Sequence, residues 1–120
     1  MHELAIAASV VEIANRHAAG RRVTKVTVQV GHLRQVLPSA LAFSFEVVTA
    51  GTPVEGAELE IEAVPAVGAC RRCGAESHLP AFPLQCQACG GFDLRIVAGE
   101  ELVVASLELE EEAGSGARSY

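Results

Sequence analysis

The stretch AELEIEA at 57–63, followed closely by CRRCG at 70–74, decides how this chain is read. Leu59, Ile61 and Ala63 alternate with Glu58, Glu60 and Glu62, a period of two that predicts a strand with one face buried and the other in water. Pro65 and Gly68 then break the pattern, and no periodicity returns until about Gly99. Beyond it Val103, Ala105, Leu107 and Leu109 alternate with Val104, Ser106, Glu108 and Glu110, which predicts another strand. A chain of 120 residues carries apolar surface for one modest core. The cysteine segment is therefore an excursion: the chain leaves a sheet after Ala63 and rejoins it near Leu102.

Toward the N-terminus, Leu4, Ala7, Ala8, Val11 and Ala14 recur at helical spacing with Glu12 and Arg16 opposite, and this helix ends near Gly20. Val26, Val28 and Val30 alternate with Lys25, Thr27 and Gln29 in a strand closed by Gly31. Pro38 suits the first turn of a second helix, where its missing amide proton costs nothing, and Leu41, Phe45 and Val48 form its stripe up to Gly51. The expected fold is α+β. Two helices on a three-stranded sheet take residues 1–64 plus 101–112, and a metal-binding domain is inserted at 65–100. Residues 113–120, with Gly114, Ser115 and Gly116 and no apolar pattern, are expected to fray.

Composition narrows the function. Half the residues are apolar and only 4% are aromatic, so the core is expected to be Val, Leu, Ile and Ala. A formal charge of −6 opposes a sequence-independent grip on phosphate backbones, and a nucleic-acid partner is not expected. LAIAASVV near the N-terminus has no preceding positive charge, is bracketed by Glu3 and Glu12 and lacks a cleavage-like site. No run elsewhere reaches the roughly 18 apolar residues of a membrane span. A cytoplasmic protein with reduced thiols and no membrane partner is the expectation. Asp93 is the single aspartate, and neither a GxxxxGK loop nor a GxSxG elbow occurs, so no enzyme activity is expected.

All four cysteines fall in two pairs, CRRCG at 70–74 and CQACG at 86–90, separated by twelve residues. A CxxC turn points both thiolates at one ion, and a following glycine permits the positive φ that turns backbone amides toward sulfur. Soft thiolate donors in a tetrahedral set select zinc, or iron in a rubredoxin-like site, over hard cations. Cys70, Cys73, Cys86 and Cys89 are thus read as a structural zinc site with no open position for catalysis. Two disulfides, a nucleic-acid-binding ribbon and an iron electron carrier are the alternatives.

Histidines stand at 2, 17, 32 and 78, and no two share a helical or strand ligand spacing. His2 adjoins the Met1 α-amine, so amine, His2 amide and His2 imidazole could close adjacent chelate rings around Ni(II) or Cu(II). On spacing alone, the simpler reading is that His2 and Glu3 begin the first helix, with the acid at the positive end of its dipole. His17 reads as a solvated helix end, and His32 and His78 as loop residues.

MHE at the N-terminus, GTPVEGAELEIE at 51–62 and the two CxxCG pairs together resemble the HypA/HybF family of hydrogenase-maturation nickel metallochaperones. The likeness includes VTVQVGHL and ALAFSFEVVTAGT and runs from Met1 to about Glu110. It implies a nickel domain of two helices and a three-stranded sheet, interrupted by a zinc-ribbon-like domain. Nickel would bind at His2 with the Met1 amine, supported by Glu3, and zinc at Cys70, Cys73, Cys86 and Cys89. The implied partners are the GTPase HypB and the large subunit of a [NiFe] hydrogenase, with urease a second possible client. Gln87 and Ala88 depart from the family's usage, which often places a proline there; no ligand is lost.

Overall fold

The computed structural model describes residues 2–111. In chain order it has helix α1 (Glu3–Ala18), strand β1 (Val23–Gly31), a 3-10 turn (His32–Arg34), helix α2 (Pro38–Thr49) and strands β2 (Glu58–Val64), β3 (Val67–Cys70), β4 (Glu76–His78), β5 (Leu94–Ala98) and β6 (Leu102–Leu109). The strands form two three-stranded sheets, ordered β2-β1-β6 and β4-β3-β5. Two compact units result. One takes the chain up to Val28, Val36–Ile61 and the chain from Val104; the other takes Gln29–Gln35 and Glu62–Val103.

In the first unit, Val23, Val26 and Val28 of β1 are buried with Ile6, Val10 and Ala14 of α1, Leu41 and Phe45 of α2, and Val54. Helix α1 is rotated from its predicted setting. Its buried side holds Ile6, Ala7, Val10, Val11, Ala14 and Ala18, whereas Leu4 is 55% exposed. Because nearly every residue from Leu4 to Val11 is apolar, the period alone admits two phases. Glu3 marks the one adopted: it is buried and its Oε2 accepts the Leu37 N–H at 3.0 Å, fastening the start of α1 to the entry of α2. Helix α2 follows its pattern more closely, with Leu41 and Phe45 buried and Thr49 completing the stripe beside the half-buried Val48.

The alternation in the outer strands also slips. Leu59 and Ile61 are half-buried as expected, but Ala63 is exposed and Val64 takes the inner position. In β6 the half-buried residues are Leu102, Val104, Leu107 and Leu109, with Ala105 and Ser106 both exposed, so the predicted face of Val103 and Ala105 is corrected. Two consecutive outward residues are what a local irregularity in an edge strand produces. Hydrogen bonds from Gly31 N to Glu101 O (2.7 Å) and from Glu110 N to Arg22 O (2.8 Å) set β6 antiparallel to β1. The Glu58/Glu60/Glu62 face is solvated, and Lys25 reaches Glu60 at 2.8 Å.

GTPVEG at 51–56 is a structural loop. Thr52 donates its hydroxyl to Thr49 O (2.7 Å) and accepts Val54 N–H (3.1 Å), while Gly51 N donates to Glu55 Oε1 (3.2 Å). These bonds close the last turn of α2 and seat Val54 in the core.

In the second unit, β3 pairs antiparallel with both β4 and β5. None of these three strands was legible from periodicity, being three to five residues long and interrupted by the cysteine turns. Its buried apolar residues from 62 to 103 are Ala66, Cys70, Leu79 and Cys86. Gly68 leaves the space that Leu79 occupies: a Cβ there would stand 3.0 Å from Leu79 Cδ1. The backbone also crosses itself closely. A Cβ on Gly31 would stand 2.0 Å from Gly99 O, and one on Gly99 would stand 2.6 Å from Ala66 Cα. The predicted frayed tail, residues 113–120, lies outside the described residues.

Candidate metal centre

Each CxxCG pair folds into the same turn. Cys70 N donates to Ala75 O and Gly74 N to Cys70 O, both at 2.9 Å; Cys86 N donates to Gly91 O (2.8 Å) and Gly90 N to Cys86 O (2.9 Å). Gly74 and Gly90 adopt φ of 80° and 77°, conformations costly for any residue with a Cβ. The turns aim backbone amides at sulfur: Arg72 N and Cys73 N donate to Cys70 Sγ, and Ala88 N and Cys89 N to Cys86 Sγ, all at 3.4 Å.

The four Sγ atoms lie within 4.8 Å of one another, with Cys70–Cys89 at 3.7 Å and Cys73–Cys86 at 3.6 Å. Metal–sulfur bonds of about 2.3 Å in a tetrahedron space the sulfurs about 3.8 Å apart, so the cluster fits one thiolate-bound ion. All four thiols are free, and these separations are far beyond the S–S bond length of about 2.05 Å, which removes the disulfide alternative.

The sulfurs are not equivalent. Cys70 and Cys86 are buried, Cys73 and Cys89 exposed. Amide donors from Cys89 and Ala88 bring the Cys86 thiol down to about 6. Amides of Cys73 and Arg72 lower that of Cys70. Cys73 goes the other way: the Ala75 amide pulls it down, but the Cys86 sulfur, burial and Cys70 outweigh that and push it to about 11. Without a cation, crowded sulfurs resist full ionisation; a bound cation reverses the balance.

Ser77 and Arg71 support the turns, and neither was singled out from sequence. The Ser77 hydroxyl accepts Gln87 N–H at 3.0 Å and lies 4.0 Å from Cys86 Sγ, toward which its proton is free to point. Arg71 donates to Asp93 Oδ1 (3.0 Å) and Leu94 O (3.2 Å), tying the first turn to β5. A lone serine between cysteine pairs carries no spacing signal, since only folding brings it against Cys86. Ser77→Ala strands the Gln87 amide, and a loss of about 1–2 kcal/mol in stability is expected by thermal denaturation. Faster metal transfer to a colorimetric chelator should accompany it; unchanged transfer and stability would remove Ser77 from the site.

The remaining candidates are not members of the four-cysteine group. His2 is exposed and immediately precedes α1, whose first helical bond runs from Ile6 N to His2 O at 3.1 Å. Met1 lies outside the described residues, so its amine is not placed. His17 Nδ1 is 3.0 Å from Ile13 O at the exposed end of α1. His32 and His78 are exposed.

A small chain whose second unit is built around a four-thiolate pair of turns belongs to the metal-handling proteins with a ribbon-type centre. The family is narrower than that. The HypA family, described as hydrogenase/urease nickel incorporation, metallochaperone, matches residues 1–109, and the chain belongs to it. The hydrogenase maturation factor HypA of Geotalea uraniireducens (strain Rf4) is 50% identical over 110 residues, 92% of this chain and 100% of the relative. That of Nostoc punctiforme is 40% identical over 111 residues, 92% of this chain and 97% of the relative. The solution structure of the Ni metallochaperone HypA from Helicobacter pylori superposes with a TM-score of 0.69, covering 93% of this chain and 100% of that one, and at 24% identity it shows the shared fold. By its description the family is one of metallochaperones. Among the described residues no helix is long and apolar enough to cross a membrane.

Proposed function

We propose that this chain is a cytoplasmic carrier that takes up Ni(II) at its N-terminus and delivers it during [NiFe] hydrogenase maturation. Zinc held by Cys70, Cys73, Cys86 and Cys89 serves as structural metal. The observation that carries this reading is the family match, which starts at Met1 and so includes the MHE segment.

Helix chemistry makes the N-terminus a reasonable nickel site. The amides of His2 and Glu3 precede the first helical hydrogen bond, so nickel coordination there breaks no i→i−4 bond of α1. The exposed His2 imidazole supplies a nitrogen donor suited to Ni(II), and the Met1 amine would supply another. Glu3 supports the site by anchoring the first turn of α1: its Oε2 accepts the Leu37 N–H. Hand-over proceeds by ligand exchange, with HypB and the hydrogenase large subunit as partners and urease as a second client. Any energy input comes from the partner GTPase.

Calorimetric titration of zinc-loaded protein with a native Met1 should show about one nickel per chain. His2→Ala, and separately a Gly-Ser extension before Met1, should weaken binding by about a hundredfold or more through loss of chelation while zinc content stays unchanged. Equal binding by all three proteins, or none by the wild type, would overturn the N-terminal site and leave a zinc-ribbon adaptor.

A further inference from the structure

His32 begins the 3-10 turn after β1, and His78 ends β4; neither belongs to the cysteine cluster nor to the N-terminus. Both nevertheless line one cleft of about 140 Å³, whose other walls are Pro65, Ala66, Leu79 and Pro80. The close backbone crossing brings them together. Gly31, next to His32, abuts Gly99; Gly99 abuts Ala66; and Ala66 O accepts the N–H of Leu79, next to His78, at 2.9 Å. Two histidines distant in sequence are thus held by a chain of backbone contacts with no slack at either glycine.

No carboxylate or cysteine is among the residues lining the cleft, so the side-chain metal donors these residues offer are the imidazole nitrogens of His32 and His78. Such donors suit late first-row divalent cations and not the hard oxygen-seeking ions. A round space of that volume is about 6 Å across, while two nitrogens on one ion stand at most about 4 Å apart, a difference that side-chain rotation can close. Both histidines are exposed, so an ion can enter from solvent. We propose that His32 and His78 form a second, imidazole-based site for a late first-row divalent cation. Two protein ligands, with water completing the shell, hold such an ion weakly and exchange it readily. The site stands whether or not His2 binds nickel.

The test uses zinc-loaded full-length protein carrying His2→Ala, titrated with nickel(II) chloride and followed by NMR of the imidazole resonances, with zinc content measured alongside. Paramagnetic broadening of His32 and His78 should follow one saturating curve, with His17 unaffected and zinc retained. Adding His32→Ala should shift the His78 midpoint by about tenfold or more, and His78→Ala should do the same to His32. Different midpoints, a His78 curve indifferent to loss of His32, absence of broadening, or broadening that tracks release of zinc would each overturn the site. The N-terminal nickel reading is judged separately, by the calorimetry of protein with His2 intact.

Discussion

Chelating the metal at neutral pH is expected to collapse the amide dispersion of residues 65–100 while α1, α2 and the amides of Val23–Val28 remain protected. The reason is the thinness of the core in that segment. From 62 to 103 the buried apolar residues are Ala66, Leu79, Cys70 and Cys86, the last two being ligands. Burying a leucine contributes about 1.5–3 kcal/mol, whereas ordering each backbone residue costs about 1–2 kcal/mol. Three short strands cannot close that gap. A structural zinc ion supplies roughly 10–16 kcal/mol, comparable to the whole stability of an ordinary domain. Amide NMR before and after chelation measures the effect, and a dispersed spectrum for this segment without metal would refute it.

Protons follow the metal. In the folded arrangement of the turns, before a cation balances the sulfurs, Cys73 is raised to about 11 and keeps its proton through the neutral range, so ordering of the segment on metal binding must expel that proton. For Cys86, lowered from 9.0 to about 6, the folded state favours the thiolate; the resulting stabilisation is complete above the ordinary thiol value and fades as pH falls through about 6. For Cys73 the sign is opposite: the folded turns, taken without their cation, favour the thiol below 9.0 and lose that preference as pH rises through about 11. Zinc affinity should therefore fall with falling pH, and calorimetry in buffers of different ionisation enthalpy should register proton release on binding.

Gly31→Ala is expected to be severely destabilising, since its added methyl meets the closest obstruction given for any described glycine. The φ of Gly31 is −70°, open to every residue, so the penalty is steric and not conformational. Its Cβ would lie 2.0 Å from Gly99 O, an atom that also accepts the Leu33 N–H at 2.8 Å. Relief requires moving backbone and sacrificing that bond and the neighbouring Gly31 N to Glu101 O bond. A loss of about 4 kcal/mol or more follows, lowering the melting temperature by roughly 15 °C. Gly20→Ala is the matched control: its φ of +88° strains alanine, but nothing stands within 4 Å, and about 1 kcal/mol is expected. Similar melting temperatures for the two variants would mean the crossing parts freely.

The sequence by itself determined what periodicity and local turn chemistry encode. Two helices, three longer strands and the two cysteine pairs were legible because each follows a repeat or a fixed spacing. Tertiary structure decided the rest. It set the phase of α1, where an almost wholly apolar run left the buried face open until Glu3 met Leu37. It slipped the alternation at Ala63 and at Ala105–Ser106, which a strict period cannot anticipate in edge strands. It made strands of Val67–Cys70, Glu76–His78 and Leu94–Ala98, segments too short to show a period and stable only when paired with one another. It brought Ser77 to Cys86 and His32 to the cleft of His78, and it made Gly31 irreplaceable at an ordinary φ. Each of these depends on which distant backbone arrives at a position, and that is a property of packing that no local pattern carries.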